Sequence, residues 1–114
     1  MNVKIKRSKW MRGRDEALLF DVDTGEMCCL GFVSRKCGAK KSDIAGVTCP
    51  NDVLRAHVAA RLKSIGLVSP VNTNTEACKT LMEINDNDSI SDKKREKLLK
   101  HEAEKIGIKF KFVD

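Results

Sequence analysis

The stretch from Ala17 to Gly38, ALLFDVDTGEMCCLGFVSRKCG, constrains the fold more than any other part of the chain. Leu18, Leu19 and Phe20 form a continuous apolar run, which predicts a strand over 17–21 that is buried on both faces. Asp23-Thr24-Gly25 supplies a turn, because Asp bonds the backbone ahead of it and Gly accepts positive φ. Residues 28–37 predict a short helix closed by Gly38. At helical spacing Cys29, Leu30, Phe32, Val33 and Cys37 share one arc, and Cys28 falls just outside it, near Arg35. Cys29 therefore reads as core. Cys28 reads as a rim thiol near a helix N-terminus, where a thiolate is stabilised, and is the candidate reactive cysteine.

Charge is the second constraint. The net charge is +6, and residues 1–14 carry Lys4, Lys6, Arg7, Lys9, Arg12 and Arg14 without a single acid. The excess therefore lies in this segment, which reads as a basic arm or as an edge strand protected by lysines. Val3 and Ile5 alternate with Lys4 and Lys6 over a short strand at 2–6. Trp10, the only tryptophan, sits among cations. It can stack on a base or serve as a core anchor, and the core anchor is the expected use of so large an apolar surface.

After Gly38 the chain reads as capped helices. Ser42 caps one turn over Asp43, Ile44 and Ala45. Asn51 caps a helix whose stripe is Leu54, Val58, Leu62 and Ile65, ended by Gly66, with His57 and Arg61 on its wet edge. After the polar loop 69–75, Thr75 caps a helix over 76–85 that buries Cys78, Leu81 and Met82. Ser91 opens the last helix, which carries Leu98, Leu99, Ala103 and Ile106, with Arg95 and Glu102 unexpectedly inside its apolar arc. Residues 108–113, IKFKFV, alternate strictly and predict a strand with lysines on one face, a match for the first strand.

Several chemistries are excluded. The cysteines are adjacent or far apart rather than paired two to four residues apart, so no zinc set is expected. Counting a calcium loop from Asp86 puts Ser91 where Gly is needed and Lys97 where Glu is needed, so 85–88 reads as a turn. There is no phosphate-binding glycine loop and no serine nucleophile elbow, which leaves only Cys28 with His57 or His101 as a conceivable nucleophile and base. No catalytic residue, metal or cofactor is assigned. No apolar run approaches the length of a membrane span, no secretory signal is read at the start, and five cysteines suit a reducing compartment. A cytoplasmic location is the expectation.

The combination Trp10-x-Arg12-Gly13, Asp23-Thr24-Gly25-x-Met27-Cys28-Cys29-Leu30-Gly31-Phe32, Leu81-Met82-x-x-Asn85-Asp86 and Ser91-Asp92-x-x-Arg95-Glu96, with the final Gly107-Ile-x-Phe strand, resembles a group of small proteins of tailed bacteriophages and of bacterial genomes carrying phage-derived genes. No established activity attaches to that group. The resemblance implies a phage-type accessory protein working in the host cytoplasm, and it carries over no catalytic residue.

These readings converge on one domain spanning 1–114 of α+β class, with about three mainly antiparallel strands (2–6, 17–21 and 108–113) and about four helices packed on them. The expected function is non-enzymatic binding of nucleic acid or an acidic host protein through Arg7, Lys9, Trp10, Arg12 and Arg14. The alternatives are inhibition of a host enzyme or defence system by protein contact, or a nucleotide-binding or thiol-based activity centred on Cys28.

Overall fold

The two ends of the chain lie side by side. In the computed structural model, which describes all 114 residues, strand β1 (Asn2–Lys6) pairs with strand β2 (Lys109–Val113). The helices between them are α1 (Cys29–Lys36), α2 (Lys41–Ile44), α3 (Ala56–Ser64), α4 (Glu76–Asp86) and α5 (Asp92–Glu104), with 3-10 turns at Arg7–Lys9 and Pro50–Asp52. The α+β class stands, with corrections to the sheet. It has two strands rather than three, and they run parallel, with Val3 opposite Phe110 and Ile5 opposite Phe112. Parallel pairing is possible because nearly the whole chain forms the crossover between the strands.

The predicted strand at 17–21 is not a strand. Its apolar side chains are buried as expected, Leu19 completely, but its backbone bonds to two different segments one residue at a time. Leu19 N–H donates to the Val47 carbonyl, while the Leu18 carbonyl accepts from Cys28 N–H. The segment is a buried connector threaded between α1 and the loop after α2. Gly31 makes that threading possible, since a Cβ on it would lie 1.9 Å from the Leu19 carbonyl oxygen.

Val3, Ile5, Phe110 and Phe112 point inward from the sheet, and α1 and α5 pack against it. Helix α4 fits between α1 and α5 through Cys78 and Leu81. The caps read from sequence are made for two helices: Thr75 accepts from Cys78 N–H and Ser91 from Lys94 N–H, each at 3.2 Å. Helix α3 departs from its predicted start. Val53 and Arg55 are extended, so Pro50–Asp52 forms its own turn and the helix begins at Ala56. Val53 takes the inward position, and Leu54, predicted as core, is 92% exposed.

Candidate interaction surface

The basic segment does not lie free. Arg7 Nε and Nη2 each donate to a carboxylate oxygen of Glu96 at 2.8 Å, and Nη1 donates to Asp114 at 3.0 Å. This bidentate pair pins the end of β1 to α5 and to the last residue of the chain. Arg12 lies over the Trp10 ring, 4.8 Å from its centroid, donates to the Arg7 and Trp10 carbonyls, and pairs with Asp92 at 3.0 Å. The Arg12 guanidinium holds the Asp92 carboxyl below its ordinary range, with Arg95 adding to the effect. Lys9 and Arg14 are exposed and make no ion pair.

Trp10 is the core anchor expected of it. It is 1% exposed, its ring lies 4.8 Å from that of Phe112, and its indole N–H donates to Asn85 Oδ1 at 2.8 Å. Its ring is therefore not available to stack on a base.

Asn85 is the residue that the sequence reading missed. It lies inside α4 and is buried, not in a solvated turn. Its Oδ1 accepts from Trp10 Nε1 and from Cys29 N–H at 3.0 Å, and its Nδ2 donates to the Met11 carbonyl at 3.0 Å. Its own carbonyl accepts from Gly13 N–H at 2.8 Å. Helix α1 has no side-chain cap from Cys28, so Asn85 supplies an acceptor for one of its free N–H groups from across the core. The signal was present: Cys78, Leu81 and Asn85 continue one helical stripe at spacings of three and four.

Arg95 belongs to the same corner. It is 2% exposed, pairs with Asp92, and donates to the carbonyls of Asn87 and Ile90, so it closes the turn between α4 and α5. Glu102 is half-buried and pairs with Lys105 at 2.9 Å. A cleft of about 440 Å³ opens beside Arg95. Its walls balance Arg12, Arg14 and Arg95 against Glu26, Asp88 and Asp92, so it favours neither sign of charge.

The cysteine reading is corrected at Cys28. The residue precedes α1, but Met27, Cys28 and Cys29 are all buried, and desolvation pushes the Cys28 thiol up to about 12. Burial outweighs the helix N-terminus, and the thiol stays protonated at neutral pH. Cys29, Cys37 and Cys78 are also buried and also raised. Cys49 alone is partly exposed. No group of three or more His, Cys, Asp or Glu side chains converges on a point where a metal ion would sit. No helix is long and apolar enough to cross a membrane.

The surface that remains is the outer face of the terminal sheet. Lys4, Lys6, Lys109 and Lys111 are exposed on it, and none makes an ion pair. Lys4 stands directly opposite Lys111 in the register. Beside β1 lies a groove of about 530 Å³, floored by Val3, Met27 and Phe32 and rimmed by Lys4, Arg35 and Lys36, with no carboxylate in its lining. Comparison with protein-family models, curated proteins and solved structures gives no match for this chain.

Proposed function

We propose that the protein is a non-enzymatic, phage-type accessory protein that binds an acidic partner through the lysine face of its terminal sheet. The observation that carries this reading is the juxtaposition of Lys4 and Lys111, flanked by Lys6 and Lys109, on a face with no acidic side chain to neutralise them. Like charges opposite one another in a sheet destabilise it, and an anionic partner relieves that repulsion. Lys9 and Arg14 extend the same charge along the N-terminal segment.

Of the two polyanions that share this chemistry, an acidic protein surface is the better fit. Arg7 and Arg12, the groups best shaped for bidentate phosphate contacts, are already held by Glu96 and Asp92. The only tryptophan is buried, which leaves a nucleic acid no aromatic ring to stack on and mainly lysine contacts to its phosphates. An inhibitor acting on a host enzyme or defence system by protein contact fits within this reading.

The test is binding of fluorescent poly-glutamate and of a fluorescent DNA duplex, followed by anisotropy across salt concentrations. Four lysine contacts predict that duplex affinity falls on the order of 100-fold between about 50 and 200 mM salt. Poly-glutamate affinity should fall in the same direction, and the Lys4→Gln/Lys111→Gln variant should flatten both curves. Salt-independent binding, or no binding of either probe, refutes the proposal.

A further inference from the structure

We infer that the free edge of β1 takes up an extended acidic segment of a partner protein as a third strand. The inference rests on the reading of an acidic protein partner and adds the mode of binding.

The backbone sets the direction. Lys109 N–H donates to the Met1 carbonyl at 2.8 Å, and the Met1 amino group donates to the Gly107 carbonyl at 2.9 Å, so β1 is tied down from its first residue. In a parallel pair the backbone groups of alternate residues face the partner strand. With Met1, Val3 and Ile5 facing β2, the N–H and C=O groups of Asn2, Lys4 and Lys6 project from the opposite edge. No hydrogen bond from elsewhere in the chain reaches them. The sheet ends there, with β1 as its last strand.

What lies beyond that edge matches a strand. Five residues of β1 offer a ladder roughly 16 Å long. Side chains of an added strand alternate between the two faces of the sheet. Those on the lower face would enter the groove over Met27 and Phe32, and those on the upper face would lie beside Lys4 and Lys6. The groove rim adds Arg35 and Lys36. The complementary segment therefore alternates apolar residues with aspartate or glutamate. Main-chain bonds supply affinity and the alternating side chains supply selectivity. A lysine-rich edge discourages pairing with a second copy of itself, which carries the same charge, while it admits an acidic strand.

The experiment uses the full chain and four peptides of seven residues: one alternating valine with glutamate, the same peptide N-methylated on one or on the other set of alternate amides, and one alternating valine with lysine. The valine-glutamate peptide should bind, N-methylation in the register that blocks the ladder should weaken it at least tenfold, and the lysine peptide should not bind. Lys4→Pro removes an outward N–H together with the Lys4 charge, so it is compared with Lys4→Gln, which removes the charge alone; the proline variant should bind the acidic peptide at least tenfold more weakly than the glutamine variant, with circular dichroism reporting its fold. If the proline variant unfolds, the N-methylated peptides still decide on the native protein. Equal binding of native and N-methylated peptides in both registers overturns strand addition, while salt-sensitive poly-glutamate binding would leave the basic-face reading standing. A DNA duplex bound more tightly than the acidic peptide at the same salt overturns the protein partner.

Discussion

Replacing Asn85 with alanine should remove a larger share of the stability than any other single polar substitution in the protein. The side-chain amide holds three buried groups at once: the Trp10 indole N–H, the Cys29 N–H and the Met11 carbonyl. Alanine reaches none of them. Each buried group left without a partner costs about 1–3 kcal/mol. Water entering the space left by the amide can satisfy one of the three, so two orphans set the scale at about 2–6 kcal/mol. A domain of this size holds about 5–15 kcal/mol in all. Taking about 3 kcal/mol and a urea slope of about 1.5 kcal/mol/M, the unfolding midpoint should fall by about 2 M. Trp10→Phe orphans less, because Asn85 Oδ1 keeps its bond from Cys29. A double-mutant cycle between the two positions should show a coupling of about 1 kcal/mol or more, since each substitution removes the same bond. The assay is urea unfolding followed by tryptophan fluorescence and, for the Trp10 variants, by circular dichroism. A loss below about 1 kcal/mol for Asn85→Ala, or additive effects in the cycle, would refute the hub.

Two further outcomes follow from burial. With a chromogenic disulfide reagent, Cys49 should react first in the folded protein, and Cys28, Cys29, Cys37 and Cys78 should react only at the rate of unfolding, because four of the five thiols are sealed in the core; fast labelling of Cys28 would contradict its raised pKa and its burial. Asp86 gives a pH test: burial raises its carboxyl above the ordinary 3.8, so the folded state holds the proton more tightly than the unfolded chain. Stability from this group is therefore complete below the ordinary carboxylate range and declines as pH rises through the raised value. Asp86→Asn still offers an oxygen to Asn85 Nδ2 and cannot ionise, so its urea midpoint should gain on the native protein as pH rises from about 3 towards 7. Asp43 and Asp92, whose carboxyls are lowered, lose stability in acid in both proteins and cancel in the difference. A constant offset across the range would show that Asp86 is not perturbed.

What the sequence disclosed was what lies within reach of a few residues. Thr75 and Ser91 cap their helices as read, since a cap is a contact over three residues. The two lysine-faced strands were legible because alternation is local, and so was the burial of Leu19. Strand direction was not legible. Periodicity fixes which face is buried but says nothing of whether two strands more than 100 residues apart run together or in opposition, and antiparallel pairing is the commoner arrangement. The buried run at 17–21 failed as a strand for a related reason. Continuous apolar residues report burial on both sides, and a connector squeezed under Gly31 is buried in the same way as a central strand.

The misreading of Cys28 has the same origin as the missing Asn85. A helical wheel drawn for α1 alone places Cys28 at the rim, because the wheel contains only α1. The neighbour that fills that rim comes from Asn85 and Asp86, more than fifty residues later, together with the segment around Trp10. The corner is assembled from three distant pieces of chain, each of which looks exposed on its own. Once assembled, it turns a tryptophan among cations into a core residue, fixes Arg12 against it, and removes the ring from the surface open to a partner. The same assembly leaves Lys4, Lys6, Lys109 and Lys111 exposed and unpaired, because the acids near the N-terminal segment, Glu96, Asp92 and Asp114, are taken by arginines. The positive charge that the sequence placed in the first 14 residues is thus sorted by the fold into two sets. The arginines at 7 and 12 build the structure, while Lys9 and Arg14 stay exposed and Lys4 and Lys6 face outward from the open-edged strand, joined on the same face of the sheet by Lys109 and Lys111 from the far end of the chain.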